Sequence, residues 1–117
     1  MRKYGNQKTI VDGIEFDSIL EAARYRQLRL MEKADVISDL KLQVEFQIIQ
    51  GWVNPDTGEK IKGTMYVADF MYCDKEKHQV IVEDTKGMET EGFKIKWKLV
   101  QSKYPEFTFM KIKAEDI

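Results

Sequence analysis

Along this chain the spacing of apolar residues alternates between that of strands and that of helices. Thr9-Ile10-Val11 and Ile14-Glu15-Phe16 flank Asp12-Gly13, a pair suited to a tight hairpin turn. Ser18 then offers an N-cap, with Glu21 three residues later in capping-box position. The predicted helix runs from Ser18 to about Ala34. It carries Ile19, Leu20, Ala23, Leu30 and Met31 on one broad face, with Arg26, Arg29 and Lys33 roughly opposite. Gln43 to Ile49 alternates, with Val44, Phe46 and Ile48 on one side, as a strand does. Asn54-Pro55-Asp56-Thr57-Gly58 predicts a turn that closes a hairpin onto a strand from Thr64 to Tyr72. A further turn at Asp74 to Lys77 leads into a third strand, Gln79 to Thr85.

A second helix is expected from about Thr90 to Lys103, with Phe93, Trp97, Val100 and Tyr104 on one face. Tyr104-Pro105 stops it, and Phe107 to Lys113 forms a last strand. The fold class is therefore mixed α/β (α+β): a short N-terminal hairpin, then helix, three-strand meander, helix, strand. Residues 1–8, with Arg2, Lys3 and Lys8, read as a flexible basic arm, and 9–117 as a single domain.

A length of 117 residues suits one core and no more. A single cysteine, Cys73, excludes an internal disulfide and a cysteine-rich zinc site. No apolar run reaches membrane length and no secretory leader is visible, so a cytoplasmic protein without a membrane partner is expected. The chain shows no Walker-type loop, no Gly-rich dinucleotide loop and no Ser/His/Asp set, hence no expected small-molecule cofactor. The net charge of -1 gives no global pull toward nucleic acid, so such binding would need a local basic patch.

Two acidic positions change this picture. Asp84 and Lys86 lie on one side of the third strand's end, where a carboxylate and an ammonium can hold a divalent metal and a phosphate together. The plainer reading of that triplet is a solvated strand end with a salt bridge. Asp69 argues for more, because it interrupts the apolar run Met65 to Met71, sharing a face with Met65, Val67 and Met71. Buried carboxylates are uncommon unless paired or metal-bound. A hairpin across Asp74 to Lys77 lets both carboxylates converge on one ion, and Mg²⁺ usually takes one or two carboxylates plus waters and phosphate oxygens. Glu21 either caps its own helix or delivers its carboxylate to the same edge, and the two roles can coexist. Lys94, Lys98 and Gln101 form a stripe on the second helix, ordinarily a solvated face but able to meet phosphates beside a metal edge.

Glu21, Asp69 and Asp84-x-Lys86, in this order of elements, resemble the motif of the PD-(D/E)XK nuclease superfamily. The stretches Asp12 to Ser18, Glu21-Ala22, Tyr25, Asp39 to Gln43, Ala68-Asp69-Phe70 and Glu83 to Gly87 resemble a family of small phage and prophage proteins placed in that superfamily. Ala68 stands where the motif name has Pro, and Asp84 where many members have Glu. The resemblance implies a restriction-endonuclease-like core and a Mg²⁺-dependent endodeoxyribonuclease, with Mn²⁺ able to substitute. Its setting would be phage DNA replication, recombination or packaging. Asp69 and Asp84 become metal ligands, Glu21 an accessory acid, and Lys86 the residue that orients the attacking water and steadies phosphate charge. Gln101 or Lys98 takes the place of an auxiliary residue found in some members. DNA is the implied partner, selected by structure rather than long sequence. Junction resolution would require two active sites and hence a homodimer. Arg2, Lys3, Lys8, Lys94 and Lys98 are candidates for backbone contacts. The rival reading is a non-catalytic nucleic-acid-binding module on a nuclease fold.

Overall fold

The computed structural model describes residues 7–117. It starts with a hairpin of β1 (Thr9–Val11) and β2 (Ile14–Phe16), and Asp12 and Gly13 take the left-handed backbone that its tight turn demands, at φ 53° and 76°. Helix α1 (Ile19–Lys33) begins where Ser18 accepts a hydrogen bond from the Glu21 backbone N–H. Strand β3 (Ile37–Ile49) follows, beginning six residues earlier than the alternating pattern indicates. A small two-stranded ear, β4 (Trp52–Val53) with β5 (Lys60–Ile61), carries the Asn54 to Gly58 turn and returns the chain to β6 (Thr64–Asp74). Then come β7 (Gln79–Thr85), α2 (Glu91–Lys103) capped by Thr90, and β8 (Thr108–Ile112).

The central sheet has the order β3-β6-β7-β8. The first three strands pair antiparallel, and β8 lies parallel to β7, with α2 supplying the crossover that a parallel partner needs. The chain is thus mixed α+β, with two helices and several sheets among the described residues. Among the described residues no helix is long and apolar enough to cross a membrane.

Each helix closes a separate core, so that the described residues bury two small cores where the chain length suggested one, because α1 and α2 pack against different residues of the sheet. Ala22, Tyr25 and Leu28 of α1 pack with Phe16, Ile37, Phe70, Tyr72 and Ile81. Trp97 and Val100 of α2 pack with Phe46, Ile48, Tyr66, Ala68 and Val82. One expected face of α1 needs correcting: Leu30 is 66% exposed, whereas Leu20, Glu21, Ala22, Tyr25 and Leu28 are buried. Two members of the inward side, Glu21 and Arg24, are charged and find partners on the sheet, which hid that side from a count of apolar residues.

Strand alternation also breaks, near Asp39, where the β3–β6 register shifts, and again at a place that bears on the site. Leu42 packs toward α1 while Val44 packs toward α2, and across the sheet Phe70 and Ala68 divide in the same way. Residues two apart should share a face, so β3 and β6 both turn over between these positions. Gln43 lies at the turnover with φ 52°, and the pairing that joins Leu42 to Phe70 and Val44 to Ala68 sets Asp69 opposite it. Asp69 therefore does not share one continuous face with Met65, Val67 and Met71. Met65 and Val67 are exposed, and Met71 packs in the α2 core.

Candidate active site

Strand β7 keeps its alternation and so presents neighbouring acids to opposite sides. Glu83 faces α1 and is fully buried. Arg24 clamps it, donating from Nε to Oε1 at 2.8 Å and from Nη2 to Oε2 at 2.6 Å, and the Tyr72 hydroxyl donates to Oε2 as well. A bidentate guanidinium with a phenol fully partners that carboxylate, so Glu83 belongs to the scaffold.

Asp84 is treated differently. It is 2% exposed, and its Oδ2 accepts a hydrogen bond from the buried Tyr66 hydroxyl. Lys86 Nζ stands 3.3 Å from Oδ1, within ion-pair range, yet Oδ1 has no hydrogen-bond partner. Leaving a buried carboxylate oxygen without a donor is costly. Burial pushes the Asp84 carboxyl up to about 6, the nearby Asp69 charge adds to this, and Tyr66 and Lys86 pull it back. Burial, together with the Asp84 charge, also holds the Tyr66 phenol above its usual range, so it stays protonated and donating.

Asp69 follows the last β6–β7 pair, Phe70 with Glu83, and lies close enough to Asp84 for their charges to oppose one another. Its Oδ2 accepts from Thr85 twice, from the backbone N–H at 2.8 Å and the hydroxyl at 2.7 Å. Glu21 reaches the same edge from α1. Its backbone N–H meets the Ser18 cap at 3.0 Å, while its carboxylate accepts from Gln43 Nε2 at 3.0 Å. Cap and site roles thus fall to different atoms of one residue. Burial first, then the charges of Asp69, Asp17 and Asp84, push the Glu21 carboxyl up to about 7. Among the described residues no three His, Cys, Asp or Glu side chains are drawn up to hold one ion together. The Asp69–Asp84 pair alone meets the one or two carboxylates that magnesium takes from a protein.

Lys86 lies with its ammonium 4.5 Å from the centre of the Phe93 ring, which fixes it on the α2 side. Lys111 of β8 pairs in register with Asp84 and its ammonium lies 5.8 Å from the Phe93 and Trp97 rings, bonded to Glu89 at 3.0 Å. The helical stripe stays at the surface: Lys94 pairs with Glu91 at 3.1 Å, Lys98 is exposed, and Gln101 donates to the Trp97 carbonyl at 3.1 Å. Lys8 sits 3.7 Å from Asp17, while Arg2 and Lys3 fall outside the described residues. Sequence reasoning missed Tyr66, Thr85, Gln43 and Lys111. A tyrosine on the buried side of β6 was a readable signal for the first; the others depend on register.

A family model described as "Protein of unknown function (DUF1064)" matches residues 1–115. The chain belongs to the DUF1064 family. No curated protein and no solved structure matches it significantly. In this DUF1064 domain the two raised carboxyls set a pH dependence whose sign is fixed. Both groups have folded values above their unfolded ones of 4.5 and 3.8, so their contribution is fully present below about pH 4 and is lost as pH rises through about 6 to 7. Without metal, the DUF1064 domain should melt several degrees higher near pH 5 than near pH 8, and a millimolar divalent cation should narrow the gap. Circular-dichroism melts at both pH values, with and without Mn²⁺, check this; a metal-free melting temperature that rises with pH counts against it.

Proposed function

We propose that this chain is a Mg²⁺-dependent deoxyribonuclease with a PD-(D/E)XK-type site on a restriction-endonuclease-like core. The observation that carries the reading is Asp84 Oδ1, buried, without a well-formed hydrogen bond, met only by the Lys86 ammonium at 3.3 Å and crowded by the Asp69 carboxylate. A divalent cation between the two aspartates would complete that oxygen and offset the like charges. The order of α1, the β3-β6-β7 meander, α2 and β8 supports the same reading.

Asp84 and Asp69 would hold the ion, with Glu21 as the accessory acid; Mn²⁺ has the oxygen preference to replace Mg²⁺. A divalent ion bound there supplies positive charge to a phosphodiester oxygen and lowers the pKa of water. Tyr66 and Thr85 keep the two aspartates in place by bonding one oxygen of each. Lys86, only partly exposed and braced on Phe93, steadies charge on the scissile phosphate and orients the attacking water. DNA selected by branch or end rather than by long sequence fits the absence, among the described elements, of any separate reading module.

Titration calorimetry with Mg²⁺ and Mn²⁺, then a cleavage panel of linear duplex, single strand, flap and four-way junction, tests the proposal. Metal binding with cleavage of at least one substrate, lost in Lys86→Ala, is the expected outcome. Absence of metal binding sinks the reading. Metal-independent DNA binding without cleavage would instead identify a non-catalytic module on the same fold.

A further inference from the structure

The turnover of β3 and β6 occurs at the residue whose side chain touches Glu21. Gln43 is neither Gly nor Asn, yet it takes φ 52° inside a thirteen-residue strand. A long side chain in the left-handed region costs about 1 kcal/mol or more, and such strain persists only when the surroundings over-determine it. Glycine would relieve it. The side chain is exposed, so burial in a core does not explain its retention. Its one recorded bond is from Nε2 to Glu21 Oε2 at 3.0 Å, and that bond leaves Glu21 Oε1 unclaimed by it. Directly across the sheet from Gln43 lies Asp69.

We infer that Gln43 is a positioning residue of the acidic edge. Its left-handed backbone turns the amide away from the normal strand face and directs it at Glu21, fixing the carboxylate of α1 against Asp69 and Asp84 of the sheet. The inference rests on the metal-site reading above and adds a residue that the motif Glu21, Asp69, Asp84-x-Lys86 does not contain. The donor sits where two strands turn over together: a regular β3 would keep Leu42 and Val44 on one face, whereas here they divide between the α1 and α2 cores.

Two substitutions divide the strain from the amide. Gln43→Gly relieves the backbone and removes the donor; Gln43→Met keeps length and strain and removes only the donor. Mn²⁺ affinity is measured by calorimetry and thermal stability by circular dichroism, with cleavage as a third reading. Hydrogen-bonding partners of metal-ligating carboxylates typically change affinity by roughly 10–100-fold when removed, and a loss of about tenfold or more is expected in both variants. Gln43→Gly should meanwhile melt at or above the temperature of the unaltered chain. A purely structural role would leave Mn²⁺ affinity unchanged in both variants, and that result overturns the inference alone. No Mn²⁺ binding by the unaltered chain overturns the metal reading and the inference together.

Discussion

Asp84→Asn will abolish divalent-ion-dependent cleavage while raising the melting temperature of the metal-free protein near neutral pH. The two effects share one cause. The carboxylate is 2% exposed and its value is pushed up to about 6, so ionised Asp84 burdens the folded state at pH 7. Asparagine has the same size and still offers an oxygen to the Tyr66 hydroxyl, but carries no charge to desolvate. A shift of this size, in which the attraction to Lys86 is already contained, corresponds to about 2–3 kcal/mol, a gain on the order of ten degrees in a domain of this length. The same change removes the oxygen expected to grip the cation. Metal catalysis supplies several kcal/mol of transition-state stabilisation, so cleavage should fall by roughly a thousandfold or more. Calorimetric unfolding and a gel-based cleavage assay on one preparation are sufficient. A variant that cuts within tenfold of the original, or melts lower without metal, contradicts the assignment.

Arg24→Ala should be the most destabilising single change outside the apolar cores. Glu83 is fully buried, and Arg24 alone among the described side chains brings it a positive charge. Removing one partner of a buried ion pair typically costs about 3–5 kcal/mol, because the remaining charge loses its compensation. For a chain of this size the melting temperature should drop on the order of 15 °C. The threefold change Arg24→Met, Glu83→Leu and Tyr72→Phe removes the Glu83 carboxylate together with both of its donors, leaving only the half-buried Gln27 that Arg24 Nη1 also bonds, and should recover most of that loss. Thermal melts of the two variants side by side decide the matter. An Arg24→Ala protein within a few degrees of the original would show that the pair contributes little.

Local chemistry was legible in the sequence wherever it was local. The Asp12-Gly13 turn, the Ser18 cap and the buried face of α2 all depend on neighbours within a few positions, and each took its expected form. Asp69, Asp84, Lys86 and Glu21 could be named because charges within apolar runs are visible without a structure. What escaped depends on residues far apart. Arg24 was not singled out, because the Glu83 that it clamps lies 59 positions away. The left-handed Gln43 follows no propensity, and only the split of Leu42 from Val44 between two cores exposes it. Asp69 was therefore assigned the right neighbour and the wrong face.

The parallel strand β8 has a consequence for biosynthesis. It runs beside the strand that bears Asp84, and the Lys86 backbone N–H donates to the Ile112 carbonyl at 3.0 Å. A chain emerging from the ribosome in N-to-C order carries Glu21, Asp69 and Asp84 long before the strand that flanks them. The acidic edge therefore lacks its flanking strand until Ile112 has left the exit tunnel. On the proposed reading, metal-dependent cleavage thus cannot begin before this late strand has been made and docked.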